Sequence, residues 1–210
     1  MKTIQISLIL VFTLFVSSAM AQSGVIGKTS FAVLGGVNFQ NLNGKDVGGN
    51  KLENDMIIGF HAGVNAQIPV APEFYFQPGL LFSTKGAKVS TNTYKLSYVE
   101  LPLNFVYKAL VGNGYFMIGF GPYVAYGIGG KDIEFKKVVE SGDSNTVKYF
   151  KPFDAGANLF FGYELPAGIF LQMNTQLGLL DIHPKDNRIS GDDKSSLRNT
   201  GYGLSLGYRF

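Results

Sequence analysis

The chain has 210 residues, among them 27 Gly, 18 Phe and 11 Tyr, with no Trp and no Cys. The length suits one domain, and the absence of Cys excludes a disulfide framework, a cysteine-coordinated metal and a lipid-modified cysteine. A formal charge of only +3 provides no electrostatic footprint for nucleic acid.

At the N-terminus, Met1-Lys2-Thr3 precedes a stretch from Ile4 to Val16 that is apolar apart from Gln5, Ser7 and Thr13. Ser17-Ser18-Ala19-Met20-Ala21 then offers an Ala-x-Ala cleavage site. The pattern predicts a secretory signal peptide over residues 1–21, too short and wrongly flanked for a spanning helix. A single domain over residues 22–210 is expected to follow. Gln22 to Ser30 has no strand pattern and reads as an ordered plug or a loose tail.

From Phe31 onward the chain alternates with period 2, the signature of strands with two unlike faces. The apolar sets begin with Phe31, Val33, Val37 and Phe39, then Ile58, Phe60, Val64 and Ile68, then Phe74, Phe76, Leu80 and Phe82. They continue with Val99, Leu101, Leu103, Phe105 and Tyr107, then Phe116, Ile118, Phe120, Val124 and Tyr126. Phe153, Leu159, Phe161 and Tyr163 form the sixth set, and Ile169, Leu171, Met173, Leu177 and Leu179 the seventh. The eighth is Tyr202, Leu204, Leu206, Tyr208 and Phe210. No charged residue falls in any apolar set. Lysine or arginine facing mid-bilayer lipid costs roughly 2–4 kcal/mol, so this is the pattern that lipid enforces. The opposite faces carry Gly, Asn, Gln, Ser and Tyr rather than the Lys and Glu of a solvated sheet.

Connections alternate in length. Pro69–Pro72, Leu110–Asn113 and Leu165–Gly168 are short; Asn41–Asp55, Gly127–Lys148 and Asp181–Asn199 are long and polar; Gly86–Asn92 is intermediate. Short periplasmic turns and longer outer loops give this alternation in an even-stranded barrel. The expected fold is therefore all-β, an eight-stranded antiparallel up-and-down transmembrane β-barrel in the cell outer membrane. Two features strain it. Pro78, Pro102 and Pro122 lie inside strands, where a closed barrel has no edge to excuse a missing N–H; bulges or positions near the membrane rim are expected. Phe160 and Phe170 fall on the lumen parity, which implies a bulge or a plugged interior.

Tyr98-Val99-Glu100-Leu101-Pro102 resembles the YxExP strand of the PorT-like outer-membrane β-barrel family of Bacteroidetes-type bacteria. Gly35-Gly36, the Gly119–Tyr123 stretch and Tyr208-Arg209-Phe210 extend the resemblance over nearly the whole chain after the leader. It implies an eight-stranded outer-membrane barrel without a settled activity. The founding member is associated with a protein-secretion apparatus, so a link to one is among the expectations. Tyr208 and Phe210 also resemble the terminal signal read by the barrel assembly machinery.

On the lumen parity, Glu100 needs a partner, because a lone buried carboxylate is unstable. His61, Lys85, Lys108 and Arg209 are the candidates, together forming a structural network. His183 lies among Asp181, Pro184 and Asp186 in the last outer loop, where rim enzymes and metal sites place such groups. No Gly-x-Ser-x-Gly element accompanies it, and Ser190, Ser195 and Ser196 are weak nucleophile candidates. No catalytic, cofactor or metal residues are assigned. The expected role is non-enzymatic, in surface contact or envelope integrity, by a monomer in contact with outer-membrane lipid and the assembly machinery. The alternatives are a rim-active enzyme acting on lipid or peptide, tested at His183, and a secreted lipocalin-like carrier, which would turn its large apolar residues inward.

Overall fold

The computed structural model describes residues 27–89, 92–144, 147–188 and 193–210. The predicted leader lies outside them, as do residues 22–26. Gly27 to Thr29 are irregular, and Ser30 already pairs with Gln67 as the first residue of a strand.

Eight strands close into one barrel: β1 (Ser30–Lys45), β2 (Ile57–Ala71), β3 (Phe74–Val89), β4 (Asn92–Val111), β5 (Gly114–Gly130), β6 (Phe153–Glu164), β7 (Ile169–Gly178) and β8 (Ser196–Arg209). Each pairs antiparallel with the next, and β1 closes on β8 from Ala32↔Arg209 to Lys45↔Ser196. Closure of β1 on β8 leaves the wall with no edge strand. The alternation places every apolar set outward: Phe120, Leu206 and Ile58 are 63%, 61% and 65% exposed, whereas Tyr98 and Lys85, on the other parity, are fully enclosed. This outward display excludes the lipocalin-like carrier, whose large apolar residues would line an interior pocket.

Several boundaries differ from expectation. The link placed at Gly86–Asn92 is mostly strand, since β3 runs to Val89 and pairs it with Asn92. β1 and β8 likewise continue to Lys45 and Ser196, into the loops predicted there. Polar residues hide these extensions from an apolar pattern, because the wall continues past the layer in which lipid demands apolar side chains. About 9–11 residues cross the hydrocarbon, while β4 has 20.

The prolines produce no bulges, and Pro78 stands only four residues into β3 from its short-turn end. Pairing between β2 and β3 lapses from Asn65↔Gly79 to Ile68↔Phe76, opposite Pro78, and resumes in the same register. It lapses between β3 and β4 beside Pro102, from Leu81↔Glu100 to Pro78↔Leu103. Between β4 and β5 it lapses beside Pro122, from Pro102↔Tyr123 to Phe105↔Phe120. Each proline withholds one ladder donor, and the strands ride over it without slipping. The interruptions step across three adjacent seams.

Phe160 and Phe170 fill the interior. Their strands pair without a break, and each ring lies over a glycine directly opposite it, Gly119 and Gly207. A Cβ at Gly119 would stand 2.3 Å from the Phe160 ring, and one at Gly207 would stand 2.2 Å from the Phe170 ring. At these two positions glycine is space left for a neighbour's ring.

Candidate functional site in the barrel lumen

The lumen is stacked in layers that run from the long-loop end to the short-turn end. Outermost is an apolar cap. Phe150 and Ile182, from the loops after β5 and β7, pack onto the inward-facing Leu42, Leu96, Tyr98 and Tyr123. Ile182 is held by backbone bonds, donating to Leu197 and accepting from Lys151, each at 2.8 Å.

Below the cap lies the first charged cluster. Glu100, Ala125 and Asp154 form one cross-strand row, so two carboxylates flank a small residue. The Lys85 ammonium fills the space, 3.2 Å from Glu100 and 3.4 Å from Asp154. It also lies over the rings of Tyr123 (4.3 Å) and Tyr98 (5.4 Å), where cation–π attraction adds to the pairing. Asp154 accepts hydrogen bonds from Tyr123 and Asn199, at 3.2 and 2.9 Å, and Glu100 accepts one from Gln176 at 2.8 Å.

Mid-barrel, His61 on β2 reaches over Gly36 of β1 to β8. Its Nδ1 is 2.7 Å from Asn38 Oδ1 and its Nε2 is 2.7 Å from Ser205 Oγ. A neutral imidazole with the proton on Nδ1 satisfies both contacts. Beside it is a cavity of about 50 Å³, bordered by Asn38, His61, Glu100, Asn104, Asn158 and Gln176. Asn104 and Asn158 flank Gly121 in one row, and the side-chain oxygen of each is buried without a donor among the described residues. A polar cavity of this size admits a few waters, which can donate to these acceptors.

The second charged cluster closes the short-turn end. Glu164 is held by Lys108 at 2.7 Å and by Arg209 Nε at 3.0 Å. Arg209 also donates to Asn65 at 3.3 Å, and Gln67 donates to Gln77 at 3.0 Å.

The predicted partners of Glu100 are therefore divided. Lys85 reaches it. Lys108 and Arg209 do not, and His61 meets neutral groups. Lys108 is eight residues from Glu100 along one strand, about 26 Å at ~3.3 Å per residue, which is beyond reach. Asp154 and Glu164 were missed as members. Both carry the lumen parity of β6: Asp154 was already within the alternating stretch, and continuing it by one residue past Tyr163 was the available signal for Glu164. The upper cluster has two carboxylates to one ammonium, and the lower has two cations to one carboxylate.

The outer loops form a clasp of their own. Lys185-Asp186 runs parallel to Val138-Val139, and Asn187 donates to the Val139 carbonyl at 2.9 Å. The guanidinium of Arg188, hydrogen-bonded to Asp186, holds that carboxyl below the usual range, and Lys136 does the same for Asp143. His183 borders an open cleft of about 720 Å³ with Lys151, Asp181, Asp186, Asp193 and Ser195. Burial lowers its pKa, opposed by the charges of Asp193 and Asp181. Among the described residues no hydrogen bond joins Ser195 to His183. Ser190 lies outside the described residues, and Ser196 opens β8. No group of three or more metal-ligating residues occurs among the described residues.

Residues 20–183 match the family model described as outer membrane protein beta-barrel domain. No curated protein matches the chain significantly. Among solved structures, the outer membrane protein OprG from Pseudomonas aeruginosa is similar at 14% identity, with 86% of this chain and 95% of that chain covered and a TM-score of 0.47. Ail, the attachment invasion locus protein of Yersinia pestis, is 12% identical, covering 88% of this chain and 100% of that one, with a TM-score of 0.39. The outer membrane protein AlkL is 12% identical, covering 90% and 93%, with a TM-score of 0.40. Likeness at this level carries no argument about function.

Proposed function

Since the chain belongs to the outer membrane protein beta-barrel family, we propose that it serves the outer membrane as a sealed, non-enzymatic barrel. It acts through its outer loops in surface contact or envelope integrity. The observation that carries this reading is the layered lumen. An apolar cap, two charged clusters and the Phe160 and Phe170 rings leave a central cavity of only about 50 Å³. An eight-stranded barrel has an interior that side chains can just fill, and here they do. Solute passage is not its role. A closed wall also needs no second copy to cover an edge, which supports a monomer. Planar-bilayer recording of the refolded chain tests the reading. No conductance, or only rare small steps, is expected; stable conductance of porin size would overturn it.

The finer placement in the PorT-like branch, with its link to a secretion apparatus, rests on Tyr98, Glu100 and Pro102. Spacing by two puts all three on the lumen face, where Tyr98 lies under Lys85 and Glu100 pairs with it. The motif thus reads as a lumen-packing signature. Affinity capture from cross-linked envelopes should retain secretion components; their consistent absence would remove the link. The cleft at His183 keeps a rim enzyme as the second reading, because it gathers an imidazole, a hydroxyl and carboxylates at one accessible place. Activity on lipid or peptide that disappears in His183→Ala would establish it.

A further inference from the structure

We propose that the outer wall of β1, β2 and β3 binds one phospholipid of the inner leaflet, with an acyl chain seated in a groove beside Pro78. The groove has a volume of about 410 Å³. Its rims are large apolar side chains, namely Phe31, Val33, Val64, Leu80 and Phe210, each about half exposed or more. Its floor is Ala66 and Pro78, with the inward-facing Ala32, Asn65 and Gly79 behind them. The floor coincides with the stretch where β2 and β3 stop pairing, between Asn65↔Gly79 and Ile68↔Phe76. The depression therefore has a cause in the sequence: a missing N–H at Pro78, with no bulk at the outward-facing Ala66 to fill the space.

The occupant follows from where the groove lies. It belongs to the outward belt of an outer-membrane barrel, so hydrocarbon is what reaches it. Phe31 and Phe210 exchange backbone hydrogen bonds at the end of the barrel that carries the short turns, opposite the long loops. That end faces the periplasm, which makes the lipid one of the inner leaflet. Lys28, exposed and without an ion pair among the described residues, precedes the groove by three residues. Three residues span at most about 10 Å, so its ammonium reaches the headgroup level above the groove. An anionic phospholipid satisfies both ends.

The test uses the full chain in vesicles of phosphatidylethanolamine and phosphatidylglycerol, with a trace of phosphatidylglycerol carrying an acyl-chain diazirine. After irradiation, adducts are mapped by mass spectrometry. Labelling of residues 64–66 and 78–80 should exceed that of residues 171–173, on the far wall, several-fold. Ala66→Phe fills the floor and should bring the groove down to the level of the far wall; Val33→Trp, a rim change with no demand on the interior, should do the same. Heat-modifiable migration verifies that both variants are folded. Lys28→Ala should abolish the preference for labelled phosphatidylglycerol over labelled phosphatidylethanolamine. Even labelling of the two walls in the wild type, or groove labelling unchanged in folded Ala66→Phe and Val33→Trp, would overturn the site. Equal labelling by the two headgroups in the wild type would overturn its anionic character.

Discussion

Lys85 is the residue on which the upper lumen turns. It is fully enclosed and is the one cation between Glu100 and Asp154. Removing one member of a buried ion pair costs roughly 3–5 kcal/mol, because the other is left uncompensated. The stoichiometry makes the members unequal. Lys85→Met strands two carboxylates and should lie at or above that range. Glu100→Gln leaves Lys85 paired one-to-one with Asp154, keeps a group that can accept from Gln176, and should cost distinctly less. Reversible denaturant unfolding in detergent orders the two; Glu100→Gln as damaging as Lys85→Met would show that Asp154 does not share the lysine. The double variant should fall short of the sum, since the residues act on one charge.

Cross-strand pairs and loop ladders carry the next level. Gly119 faces Phe160, and a methyl group there would stand 2.3 Å from the ring. Overpacking of this kind costs about 1–3 kcal/mol. Gly119→Ala should destabilise by that amount, and adding Phe160→Leu should recover part of it; simple additivity would mean that the cost does not arise at the Phe160 ring. The loop clasp should respond to acid in two windows. His183 has a lowered pKa, so folding favours its neutral form, and that contribution is complete above its ordinary value of 6.5 and is lost as pH falls below it. Asp186 and Asp143 are held low by Arg188 and Lys136. Their contribution is present above the ordinary 3.8 and is lost as pH falls further, through the folded values. Protease sensitivity of the loops in intact vesicles should therefore rise below about 6.5 and again below about 4, with barrel migration unchanged. Loops equally resistant at both acidities would show that these groups do not hold the clasp.

For the whole molecule, assembly separates from stability. Phe210 is 68% exposed and stacks on Tyr208 at 6.4 Å between ring centres. Its removal takes away little buried area. Deleting Phe210 should leave refolding in detergent nearly normal while lowering the amount of barrel assembled in cells, measured as heat-modifiable protein in the outer-membrane fraction. Unimpaired assembly in cells would refute its role, with Tyr208, as a recognition element. Face assignment is legible in the sequence. Solvent polarity acts on one side chain at a time, and a period of 2 records that action in Tyr202, Leu204 and Leu206 as plainly as in Ile58 and Phe60. The order of hairpins was legible too, because short turns leave adjacent strands no other neighbour. The partners across the lumen were not. Whether Glu100 meets Lys85 or Lys108 depends on height along the strand and on register around the ring. Asp154 enters because it shares a row with Glu100 through Ala125, a relation between three strands that no local pattern encodes. Sequence by itself determined which residues face lipid and which face inward, since that choice is made residue by residue by the solvent. Tertiary structure alone decided which inward residues meet, because closing the wall brings together side chains from strands far apart in the chain.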